Sequence, residues 1–71
     1  MDTFRLRGDE DYIKIGQLIK ACNMVSSGAE AKQVIGEGMV FLNDEVCLQR
    51  GKKIREGDIV EYNNIKIKVI S

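Results

Sequence analysis

Histidine and proline are both missing from this 71-residue sequence, and cysteine occurs only twice. Cys22 and Cys47 lie far apart and form no CxxC pair. A zinc or iron–sulfur centre needs more ligands than that, so no metal is expected. The two thiols read as buried or half-buried side chains rather than as a disulfide. Without histidine, and without a converging pair of carboxylates, the usual acid–base roles of an active site have few candidates. No enzymatic activity, cofactor or small-molecule substrate is expected. The phosphate-loop pattern GxxxxGKS/T does not occur. No apolar run approaches the roughly 18 residues of a membrane span. The first segment, "MDTFRLRGDEDY", lacks the apolar stretch of a secretory signal. A cytoplasmic protein that does not engage membranes is the expectation.

Net charge is missing too: 11 basic residues balance 11 acidic ones. That balance argues against tight nonspecific binding to nucleic acid, but the placement of the charges says more than their sum. Residues 1–13 hold two basic and four acidic side chains, whereas "RGKKIR" at 50–55 holds four basic and none acidic. Such a run is either a solvated loop or an anion-binding patch. What the chain does have is a globular composition, 44% hydrophobic and 31% charged, well away from the disordered class. At this length residues 1–71 are expected to form a single domain. Domains this small bury only about 60% of their unfolded surface, which leaves little room for both a core and an enclosed active site.

The periodicities predict an α+β fold. "TFRLR" alternates, with Phe4 and Leu6 on one face, as a half-buried strand does. Ile15, Leu18, Ile19 and Cys22 then recur at helical spacing, with Lys14, Gln17 and Lys20 on the wet flank. Lys14 and Gln17, three apart, present side by side, and Asn23 suits a left-handed stop. A second helix is expected from Ser27 to Gly38, with Ala31, Val34 and Ile35 as its buried stripe. Ser27 and Glu30 form a capping box there, the serine oxygen taking the Glu30 amide and the glutamate reaching back. "MVFLNDEVCL" reads as strand, turn, strand around Asn43-Asp44, and "IVEYNNIKIKVI" as a second hairpin around Asn63-Asn64. Ile54 between them is an apolar anchor. Val60, Tyr62, Ile67 and Val69 should face inward, with Lys66 and Lys68 outside. The order strand-helix-helix-strand-strand-strand-strand gives a two-helix hairpin on one side of a small, largely antiparallel sheet.

The stretch "SSGAEAK" at 26–32 carries more than a cap. A helix N-terminus has unpaired amides and about half a positive charge, which suits an anion. Gly28 removes the side chain that would shield those amides, Ser26 adds a hydroxyl donor, and Lys32 stands about one turn into the helix. These are the parts of a phosphate cradle, and equally the parts of a good cap. Phe41, opposite the core-facing Val40 and Leu42, either packs under a lysine stem or a loop or stacks a base.

In order and spacing, "IKIGQLIKACN", "VSSGAEAK", "EG", "VFLND" and "GKKIREGDIVE" resemble the RNA-binding domain named after ribosomal protein S-four. The chain is most similar to the small, stand-alone bacterial members, over residues 13–62. The resemblance implies a helix hairpin on a sheet that reads RNA without catalysis. Such domains occur in ribosomal proteins, pseudouridine synthases, some tyrosyl-tRNA synthetases and ribosome-associated factors. Lys14 stands where the family usually has arginine, keeping the charge but losing the bidentate fork. Gly16 stands where it usually has aspartate, and Gly28 where it often has arginine. Lys32 matches a basic position of the second helix; Arg50, Lys52 and Lys53 match a basic loop; and Asn43 matches a structural turn asparagine.

The expected partner is therefore structured RNA, either ribosomal RNA or tRNA, with the ribosome as one context. Recognition would rest on backbone phosphates and shape. The residues expected to carry it are Lys14, Gln17, Ser26, Ser27, Gly28, Lys32, Arg50, Lys52 and Lys53. The basic members of that set should converge on one face of the helix hairpin and basic loop. The alternative is a protein–protein interaction module with no direct RNA contact, which the neutral charge and acidic first segment favour.

Overall fold

The computed structural model describes residues 1–71. A five-stranded mixed sheet carries both helices on one face. The first strand, β1 (Asp2–Arg5), runs parallel to the last, β7 (Ile65–Ile70), with Phe4 opposite Val69. The Leu6 amide extends this pairing by donating to the Ile70 carbonyl at 2.7 Å. The other ladders are antiparallel. β6 (Ile59–Tyr62) lies between β7 and β3 (Val40–Leu42), and β4 (Glu45–Val46) forms the edge beyond β3.

The two hairpins form where the sequence places them. Asn43 and Asp44 take φ of 50° and 71°, and Asn63 and Asn64 take 55° and 66°. Consecutive left-handed residues make the type I′ turn, whose twist matches that of the flanking strands. Asn43 also ties its hairpin to the next turn. Its Oδ1 accepts from the Ile59 amide at 2.9 Å, and its Nδ2 donates to Asp58 at 3.1 Å.

One element has no counterpart in the sequence reading. β2 (Ile13–Lys14) pairs antiparallel with β5 (Lys53–Ile54) as a separate two-stranded ribbon. Ile54 is thus not an isolated anchor but half of a pair with Ile13. Strands of two residues are too short to show a period of two, which is why only the buried isoleucine was visible.

Helix α1 (Ile15–Ala21) follows β2 directly, and α2 (Gly28–Gly36) follows a short connection. Both close in the same way. Beyond α1, Asn23 has φ of 59°, and Asn23 and Met24 donate to Lys20 and Ile19. Beyond α2, Gly38 has φ of 77°, and Gly38 and Met39 donate to Ile35 and Val34. These are paired Schellman bonds around a left-handed residue.

Neither helix is long enough to persist alone; both are held by one core. That core joins Leu6, the helix stripes at Ile15, Leu18, Ile19, Ala31, Val34 and Ile35, and the sheet residues Val40, Val60 and Val69. Each fully buried aliphatic side chain contributes about 1.5–3 kcal/mol. Cys47 is buried and Cys22 half-buried, both as free thiols. Burial, and then the charge of Asp2, pushes the Cys22 thiol above its usual pKa. No polar or charged residue is buried, so every charge of the protein is on its surface.

Candidate nucleic-acid interface

A cleft of about 390 Å³ opens where α1, the start of α2 and the basic loop meet. Lys14, Gln17, Lys20, Gly28 and Arg50 line it, together with small residues. Three cations and no carboxylate stand around this cleft, in a chain whose net charge is zero.

The local backbone explains how residues so far apart in sequence meet. Lys14 is the N-cap of α1, in extended conformation and with no side-chain cap bond. The first amides of α1 go to carbonyls of the basic loop instead. Ile15 donates to Lys52 at 2.8 Å, and Gly16 to Arg50 at 3.2 Å. The loop therefore caps the helix and is fixed beside it. Gly16 is what lets it come so close. A Cβ there would lie 2.8 Å from Arg50 Cγ and 3.4 Å from the Arg50 carbonyl oxygen. The aspartate usual at this place in the resembled family would have to displace Arg50.

The start of α2 is built differently. Ser27 Oγ accepts from the Glu30 amide at 3.1 Å, as the capping box requires. Glu30, however, does not return to the Ser27 amide. Its Oε1 accepts from the Ser26 amide at 2.7 Å and from the Ser26 hydroxyl at 2.9 Å. The preceding residue offers two donors to one oxygen where Ser27 offers one. The Ser26 amide first, and its hydroxyl second, hold the Glu30 carboxyl below its usual pKa. The Ser26 hydroxyl expected to meet a phosphate is thus already donating to Glu30. The amides of Gly28 and Ala29 have no backbone acceptor. A Cβ added at Gly28 would meet nothing within 4 Å, and its φ is not left-handed. Neither packing nor conformation requires glycine there, so the fold alone does not account for it.

Of the nine residues singled out from sequence, the cleft brings together Lys14, Gln17, Gly28 and Arg50. Ser27 and Ser26 form the α2 cap at its margin. Lys32 stands on α2 one turn beyond Gly28, on the same helical face. The full convergence expected of the basic residues does not occur. Lys53 is paired with Lys14 across the β2–β5 ribbon and lies 4.9 Å from the centre of the Tyr12 ring. Lys52 lines a different groove, along β4, with Leu42, Val46 and Leu48. Lys53 lies in β5, whereas Lys52 ends the loop before it, and the two side chains leave on different sides. Phe41 faces away from the helices, between Val46 and Glu61 in register.

Two residues that line the cleft, Lys20 and Gly16, were not singled out from sequence. Lys20 follows Gln17 at the same three-residue step by which Gln17 follows Lys14, so its helical face was readable. Gly16 left a signal too: glycine in a helix costs about 1 kcal/mol against alanine, which hints at a close approach.

Comparison with known proteins agrees with this architecture. The model of the family described as the S4 domain matches residues 4–70, wider than the 13–62 on which the sequence resemblance rests. The "Probable ribosome maturation protein RlbA" of Bacillus subtilis is 40% identical over 53 residues, 75% of each chain. The solution structure of YbcJ from E. coli, described as revealing an αL motif involved in RNA binding, superposes with a TM-score of 0.75. It is 31% identical, and the match covers 100% of this chain and 89% of that one. The chain belongs to the S4 domain family.

Proposed function

We propose that this protein is a non-catalytic RNA-binding module that grips structured RNA by its backbone at the cleft between α1, α2 and the basic loop. The observation that carries the reading is the cleft itself, with Lys14, Lys20 and Arg50 around it and no carboxylate. The open amides of Gly28 and Ala29 lie beside it. Cations supply most of the affinity for a phosphate backbone, and helix-start amides add directional donors. Ribosomal RNA is the preferred target and tRNA the other; the ribosome-maturation relative and the RNA-binding neighbour support this choice. Work on such RNA belongs in the cytoplasm, and no helix is long and apolar enough to cross a membrane. No cluster of three potential metal ligands occurs, and backbone recognition needs neither metal nor cofactor.

A second reading, protein–protein interaction, has one observation in its favour. Met39, Val46 and Leu48 are 46%, 50% and 62% exposed, and the last two flank Gly38. Ultraviolet crosslinking to a ribosomal RNA fragment, followed by peptide mapping, separates the two. The RNA reading expects crosslinks within 14–20, 28–32 and 50–53. Crosslinks confined to 39–48, or none, would contradict it.

A further inference from the structure

We infer that the exposed face of the β2–β5 ribbon is a second RNA contact, which stacks an unpaired nucleobase on Tyr12. This rests on the backbone-gripping reading of the neighbouring cleft and adds the class of RNA it takes: structured RNA with one nucleotide turned out of the helix.

The ribbon's register sets Ile13 opposite Ile54 and Lys14 opposite Lys53. Ile54 is fully buried, and Ile13 packs against the core. Strand alternation then puts Lys14 and Lys53 on the outer face. Continuing the register sets Tyr12 opposite Arg55. The distances agree: Arg55 Cζ lies 5.7 Å, and Lys53 Nζ 4.9 Å, from the centre of the Tyr12 ring. One small face thus presents an aromatic ring and three cations.

One part of that composition is unfavourable to the fold. Like charges directly opposite each other destabilise a strand pair, and Lys14 opposite Lys53 is such a pair. A phosphate between them removes the repulsion. Tyr12 is 36% exposed, and the two cations fix its orientation through its ring quadrupole. Both a tyrosine ring and a guanidinium plane stack bases.

The surroundings say which part of a nucleotide goes where. Asp9, Glu10 and Asp11 line a depression together with Tyr12, Lys14 and Gln17. Those acids repel a phosphate but not an uncharged base. The phosphates are thereby directed away from the acids, toward Lys53 and the cationic cleft, and only the uncharged base goes to the Tyr12 ring beside them. Lys14 and Gln17 also line the cationic cleft, so the two contacts are continuous.

The test uses the whole protein and two labelled RNA hairpins. One carries a single looped-out adenosine; the other has an abasic ribose at the same place. Fluorescence anisotropy gives the affinities. The wild type should prefer the adenosine hairpin. Tyr12→Leu should weaken that hairpin roughly 5- to 150-fold, down to the level of the abasic one. Its unchanged affinity for the abasic hairpin would show that it is folded. Tyr12→Phe, which keeps the ring, should match the wild type. Equal wild-type affinity for the two hairpins, a preference that survives in Tyr12→Leu, or an equal loss of both hairpins in that variant would each overturn the inference. The cleft reading would still stand if Lys14→Ala with Arg50→Ala weakened both hairpins. Failure of the wild type to bind either would overturn both.

Discussion

Two glycines illustrate how differently one residue type serves this fold. Gly16 is held by packing: Arg50 occupies the space that a side chain would need. Gly28 has empty space around it and an ordinary backbone, so neither packing nor conformation requires glycine there. Gly28→Glu should therefore raise stability by about 0.3–1 kcal/mol, through the helix dipole and a stiffer unfolded chain, while weakening RNA binding. Thermal melts and a binding titration on the same variant check both halves. A variant that is more stable and binds as before would mean that Gly28 is not kept open for a ligand. Glu30 supplies a pH dependence. Its carboxyl is held below the ordinary 4.5 by the Ser26 amide and hydroxyl. A depressed folded pKa means that its stabilisation is complete above that ordinary value and is lost as pH falls through the folded one. Glu30→Gln should flatten stability against pH in the acidic range and leave it unchanged in shape near neutrality. Melts over that range that superpose on the wild-type curve would contradict the assignment. From sequence the cap was legible as far as Ser27. The shift of Glu30 onto Ser26 was not, because it depends on the extended path of the two serines.

At the scale of elements, turn chemistry was the most readable feature. Asn43-Asp44 and Asn63-Asn64 mark their hairpins because asparagine and aspartate tolerate positive φ at little cost. Asn43 does more than turn the chain, since its amide clamps Asp58 and Ile59. Asn43→Ala should cost about 1–3 kcal/mol, from an orphaned Ile59 amide and a strained left-handed alanine. Denaturant unfolding measures it; a cost within experimental error would show that solvent replaces the clamp. Two pairings were not readable. The parallel union of β1 with β7 joins the two ends of the chain, and local periodicity carries no information on such a partner. The β2–β5 ribbon is too short to have a period at all. Yet that ribbon shapes the cleft, because it holds the basic loop, and with it Arg50, beside Lys14.

Over the whole molecule, neutrality hides a sorting of charge. All charged residues are on the surface, so the fold is free to gather cations in one place and acids in another. Lys14, Lys20 and Arg50 surround the cleft without a carboxylate, while Asp9, Glu10 and Asp11 gather next to it. Composition could not reveal this, since the sum is zero by cancellation between adjoining regions. The order of motifs could reveal the family, because each piece fits one place in one fold. The division of the basic loop could not be read, because it depends on where the loop ends and β5 begins: Lys52 goes toward β4 and Lys53 toward Tyr12. The local field, not the net charge, should therefore set how binding responds to salt. The most direct measurement is the slope of log affinity against log salt concentration for a ribosomal RNA fragment, comparing the wild type with Lys14→Ala plus Arg50→Ala. The slope should shrink by roughly 0.7–0.9 for each phosphate contact removed, with stability changed by no more than about 0.5 kcal/mol. A folded double variant that keeps the wild-type slope and affinity would contradict the claim that this cleft holds the RNA backbone.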